Sequence, residues 1–182
     1  ERHLFASALT PQGIVHHLPS LLEGITFLYI IEGDPGSGKE IILREMAELA
    51  YRSGFTVDVY HCAFDPTQID LVVLPERKTA VLNHFPELDF DCGSLPNLKY
   101  CERIDCGISL ENNTLKIYNR ELQETQELFD RCLQRGLYYL KEARVVYSEM
   151  ESYYQESMDF EAVESRRKEV LDLFLKIIDE KK

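Results

Sequence analysis

The sequence predicts an α/β protein, a parallel sheet flanked by helices with an α-helical hairpin at its C-terminal end. Three observations point there. An apolar, β-branched run at 26–31 leads through a glycine-rich turn into a helix-forming stretch, and further short apolar runs separated by polar turns continue to residue 84. From 119 onward, apolar residues recur at spacings of three, four or seven. Strands alternating with helices imply parallel pairing with helices on the sheet faces, and the last pattern traces one face of a helix.

Residues 4–10 read as a short strand or extended lead-in and 13–22 as a helix closed by Gly24. The run 26–31 (Thr-Phe-Leu-Tyr-Ile-Ile) has the length and composition of a buried parallel strand. Residues 39–52 form a helix with Ile42, Leu43, Met46 and Ala47 on a broad apolar face, stopped by Gly54. A half-buried strand at 56–62 follows, then a turn at Asp65-Pro66, a short helical segment beginning at 67–70, and strands at 71–74 and 79–82. Residues 85–110, with Pro86, Gly93, Pro96 and Gly107, are loop-rich. A long helix then runs from Asn119 to about Tyr154, and a second opens behind Asp159, a good N-cap. The expected division is a core over 1–118 and a helical hairpin over 119–182.

Between the first buried strand and its helix lies Gly33-Asp34-Pro35-Gly36-Ser37-Gly38-Lys39-Glu40. This is the phosphate-binding pattern G-x-x-x-x-G-K-[ST], the Walker A loop, complete except at its last position. Glycines let the backbone bend and approach a ligand where a side chain would block it. The helix N-terminus that follows presents free N–H groups and a positive dipole end, an anion site. Lys39 adds an ammonium that reaches β and γ phosphates. The fold expectation sharpens to P-loop NTPase-like, with nucleotide contacts from Gly33, Asp34, Pro35, Gly36, Ser37, Gly38, Lys39 and Glu40, and with ATP and Mg²⁺ as cofactors.

Glu40 stands where a hydroxyl residue normally holds the magnesium ion. A carboxylate is itself a Mg²⁺ ligand, so Glu40 is the metal candidate. Facing the phosphates without a cation, it would cost about 4 kcal/mol at about 4 Å and an effective dielectric of about 20. Facing away, it is an ordinary acidic residue in a first helical turn. Phosphoryl transfer also needs an acid from a later strand. The strand 79–82 ends in Asn83 and His84, where an aspartate is expected, so Glu76, after the strand 71–74, joins Lys39 as a catalytic candidate. Asp65 is a further acid, and Arg131, Arg135, Arg144, Arg166 and Arg167 are available cations, each also readable as solvated surface charge.

The chain has 182 residues, 45% of them hydrophobic, enough for one α/β core with an appendage. Its formal charge of −12 argues against nonspecific binding to nucleic acid or anionic membranes. No apolar run approaches the roughly 20 residues that span a bilayer, so a cytoplasmic setting without membrane association is expected. Five irregularly spaced cysteines without a C-x-x-C pair read as buried or half-buried free thiols rather than as a disulfide framework or a zinc site.

Arg2 through Gly13 (Arg-His-Leu-Phe-Ala-Ser-Ala-Leu-Thr-Pro-Gln-Gly), the loop at 33–39, and Val59-Tyr60-His61-Cys62 followed by Asp65-Pro66 resemble a bacterial family of tandem P-loop proteins described as ATPases or nucleotide kinases. The resemblance covers about 2–84 and, more loosely, Met158-Asp159-Phe160, and it makes this chain similar to the second of two repeats within a longer protein. It implies Gly33, Gly36, Ser37, Gly38 and Lys39 as nucleotide contacts, and as partner a second P-loop domain of the same longer chain or a homo-oligomer. Family members end the loop in Ser or Thr and carry an aspartate after the later strand; this chain departs at Glu40 and Asn83. Two readings follow: an ATPase or nucleotide kinase-like enzyme, or a catalytically degenerate P-loop domain that serves as a regulatory or assembly partner.

Overall fold

The computed structural model describes residues 1–84, 90–107 and 117–179. It divides into two compact units, Glu1–Leu140 and Lys141–Lys182. In the first, a six-stranded sheet runs in the order β1-β5-β6-β7-β4-β8. The strands are β1 (Arg2–Phe5), β4 (Phe27–Glu32), β5 (Asp58–His61), β6 (Ile69–Leu74), β7 (Thr79–Asn83) and β8 (Tyr100–Asp105). A separate antiparallel hairpin pairs β2 (Ser7–Thr10) with β3 (Gly13–His16). The helices of this unit include α1 (Leu18–Leu21) and α2 (Lys39–Arg52).

The sheet is mixed, which corrects the expected all-parallel arrangement. β1 with β5, β7 with β4, and β4 with β8 pair in parallel, whereas β6 is antiparallel to both β5 and β7. The cause is chain length. Residues 75–78 alone join β6 to β7, too few for the crossover of a dozen or more that parallel neighbours require. A 3-10 turn at Pro75–Arg77 and a left-handed Lys78 (φ 50) complete that reversal.

Each face of the sheet carries its own core. On one, Leu43, Ala47 and Ala50 of α2 pack against Ile31, Val59, Val72 and Val81. On the other, Leu18 and Leu22 cover Leu28, Ile30, Leu71 and Leu82, joined by Phe90 and Leu95. Burying a leucine such as Leu43 contributes about 2 kcal/mol, so this packing clamps α2 onto the strands that carry the loop.

Other expectations need adjustment. Residues 13–22 form β3 and the single turn α1 rather than one helix, because Gly13 (φ 116) turns the chain back onto β2. Residues 67–70 pass from a turn directly into β6. The loop-rich stretch contains β8, an edge strand whose side chains are all exposed and which therefore lacks an apolar signature; 85–89 and 108–110 of that stretch lie outside the described residues. Of the five thiols, Cys101 and Cys132 are exposed and the others half-buried.

The C-terminal helices are α3 (Asn119–Glu156) and α4 (Phe160–Asp179), and the boundary between the two units falls within α3. Asp159 caps α4 as expected, its Oδ1 accepting from the Glu161 and Ala162 amides at 3.1 Å. Neither helix buries a residue. Among the described residues, no helix is long and apolar enough to cross a membrane.

Candidate phosphate-binding site

The loop leaves the C-terminal end of β4 and enters α2 through its N-cap, Gly38, whose left-handed backbone (φ 89) glycine alone adopts readily. Gly33 (φ 144) is required for space as well as for conformation. A Cβ there would lie 2.7 Å from Ser37 Oγ and 3.3 Å from the Cys106 Cβ. The Ser37 amide donates to the Asp34 carbonyl at 3.1 Å, closing the turn. The first amides of α2 have no intrahelical acceptor, and they open toward the loop as in an anion-binding helix terminus.

Lys39 is only 8% exposed. Its Nζ donates to the His84 carbonyl oxygen at 3.2 Å, just beyond the end of β7. The ammonium is thus held at the loop end of the sheet by a contact to backbone.

The same end carries an acid that sequence reasoning missed. β6 runs antiparallel to β7 with Leu71 opposite Leu82, so the start of β6 lies beside the end of β7. One step outward on that ladder stand Asp70 and Asn83, which are 4% and 9% exposed. Burial pushes the Asp70 carboxyl up to about 6, opposed by a hydrogen bond from the Cys62 thiol and by the charges of His61 and Lys39. Asp70 Oδ2, Asn83 Oδ1 and Ser37 Oγ are buried without a hydrogen-bond partner among the described residues. The available signal was Asp70 itself, a lone charge inside the apolar run Ile-Asp-Leu-Val-Val-Leu, since a buried carboxylate is costly unless something pairs with it.

Lys39, Glu40, Asp70 and Asn83 line one cavity of about 310 Å³, together with Pro35 and Gly36 of the loop. Phe64 and Phe129 form an apolar part of its wall, with ring centroids 6.0 Å apart. Glu40, half-buried, thus borders the same space as the lysine.

Other candidates are not brought there. Glu76 follows the C-terminal end of β6, which the antiparallel pairing puts at the end of the sheet opposite the loop, and its carboxylate accepts from Thr56 Oγ1 at 2.7 Å. Glu76, expected as a catalytic acid, is thus not brought to the loop. Asp65 holds the 62–68 connection, accepting from the Thr67 amide at 3.0 Å and the Thr67 hydroxyl at 2.6 Å, bonds that lower its pKa. Arg144, Arg166 and Arg167 pair with Glu151, Glu169 and Glu164 along their own helices. Among the described residues no group of three or more His, Cys, Asp or Glu side chains is arranged to hold a metal ion.

No family model, curated protein or solved structure matches the chain.

Proposed function

We propose that this chain is an ATP-binding P-loop domain that catalyses hydrolysis or kinase-like phosphoryl transfer in the cytoplasm. The observation that carries this reading is the strand–glycine loop–helix unit with Lys39 held beneath it. Loop amides and the α2 N-terminus would bind the phosphate oxygens, and Lys39 would exchange its contact with the His84 carbonyl for the β and γ phosphates. Magnesium bound with the nucleotide would supply neutralisation of the charge on the transferring group. The resemblance to tandem P-loop ATPases and nucleotide kinases agrees with this, and suggests a second P-loop domain or a second copy as partner.

A specific observation favours a second reading, a degenerate domain that binds nucleotide or an anion without turning it over. Glu40 shares the cavity with Lys39. A like-charge contact there opposes triphosphate unless a cation intervenes.

Turnover separates the two. Under the enzymatic reading, phosphate release from ATP or transfer to an acceptor exceeds that of a Lys39→Ala control and requires Mg²⁺. If native protein releases no phosphate above that control while Glu40→Thr binds ATP more tightly, the degenerate reading stands.

A further inference from the structure

We propose that Asp70, with Asn83 beside it, forms a divalent-cation site that assembles only when a nucleotide phosphate occupies the loop; this rests on the nucleotide reading above. Three buried oxygens have no hydrogen-bond partner among the described residues, Asp70 Oδ2, Asn83 Oδ1 and Ser37 Oγ. The first two accept hydrogen bonds and cannot donate them when Asp70 is ionised, and a phosphate in the loop adds further acceptors. Lys39 is the cation already present, and it is engaged with the His84 carbonyl. A buried carboxylate oxygen on the wall of the cavity that a phosphate would enter calls for a positive charge to offset it.

Glu40 is half-buried and can be hydrated, whereas Asp70 is 4% exposed and cannot satisfy Oδ2 from bulk solvent. Asp70 is therefore the carboxylate with the unmet demand. Magnesium suits such a place, because it keeps several waters and uses one or two carboxylates plus substrate phosphates rather than an all-protein cage. Asp70 would supply the acid missing at Asn83, from the start of an antiparallel strand instead of the end of a parallel one. Asn83 would hold a metal-bound water through its carbonyl oxygen.

The test uses Mn²⁺ as the probe, followed by electron paramagnetic resonance, with a non-hydrolysable ATP analogue and, separately, calorimetry of ATP binding in EDTA. Native protein should bind Mn²⁺ negligibly alone and tightly with the analogue. Asp70→Asn should weaken Mn²⁺ in the ternary complex by about tenfold or more, while ATP affinity in EDTA stays the same or rises. Asn83→Leu, which retains the carboxylate, should weaken it less. The proposal is overturned if Asp70→Asn leaves Mn²⁺ affinity intact, if Glu40→Gln removes it instead, or if Mn²⁺ binds equally well without nucleotide. Absence of any Lys39-dependent ATP binding in EDTA or Mg²⁺ would overturn the nucleotide reading, and this proposal with it. Asp70→Asn keeps the side-chain shape, and its melting temperature reports whether it is folded.

Discussion

Lys39 Nζ and the His84 carbonyl oxygen lie 3.2 Å apart, joining the first residue of α2 to the backbone just past β7. The ammonium is thereby fixed beside Asn83 and within electrostatic reach of Asp70. A lysine held this way has a backbone contact to give up before it can reach a phosphate.

Gly33→Ala should cripple the loop without unfolding the sheet. The added methyl would sit in a left-handed backbone that side chains rarely adopt, displacing Ser37 Oγ at 2.7 Å and crowding Ser37 Cβ at 3.2 Å and Cys106 Cβ at 3.3 Å. ATP affinity should fall at least tenfold, read by calorimetry, while the far-ultraviolet dichroism spectrum stays native. Unchanged affinity would mean that the loop conformation is irrelevant to binding.

Asp70 should make stability fall as pH rises through the acid range. At pH below its ordinary 3.8 the group is protonated both folded and unfolded; between 3.8 and about 6 only the unfolded chain gives up the proton. Above that range the loss levels off, at a magnitude on the order of 3 kcal/mol. Urea unfolding in EDTA at pH 4 to 7 should show native protein losing ground against Asp70→Asn by this amount. Parallel pH profiles for the two proteins would refute the buried-acid assignment.

Glu76→Ala should leave nucleotide affinity and turnover unchanged, since the residue lies at the opposite end of the sheet. It loses one exposed hydrogen bond from Thr56, so stability should drop by no more than about 1 kcal/mol. A large fall in turnover at constant stability would return Glu76 to the site.

Arg2→Ala should destabilise the fold more than an ordinary surface change. The guanidinium holds both oxygens of Asp58 at 2.6 and 2.5 Å, and Asp58 is buried. Removing it strands a buried carboxylate without its compensating charge. Thermal unfolding of Arg2→Ala beside Arg2→Ala/Asp58→Asn should show partial recovery in the double variant; equal losses would mean that the stranded Asp58 charge is not the cause.

The parts legible in the sequence were those with strong local causes. The loop, α2 with its Gly54 stop, and Asp159 as a cap each follow from a few adjacent residues whose chemistry leaves little choice. Strand direction was misread because an apolar run looks the same whichever way its neighbour points; the four-residue link at 75–78 held the answer. That error propagated to the site. With β6 taken as parallel, the acid at its end, Glu76, seemed near the loop, whereas reversal brings its beginning, Asp70, there instead. β8 was invisible because an exposed edge strand needs no apolar pattern, only the ladder with β4.

Calorimetric titration of ATP, with Mg²⁺ present, into native protein and into Lys39→Ala bears most directly on the phosphate-site reading. Losing a charge-assisted contact of about 1.5–3 kcal/mol should weaken binding by roughly 10- to 100-fold in a variant that still melts cooperatively. Native protein that gives no heat of ATP binding, or a variant that binds as well as native, would contradict it.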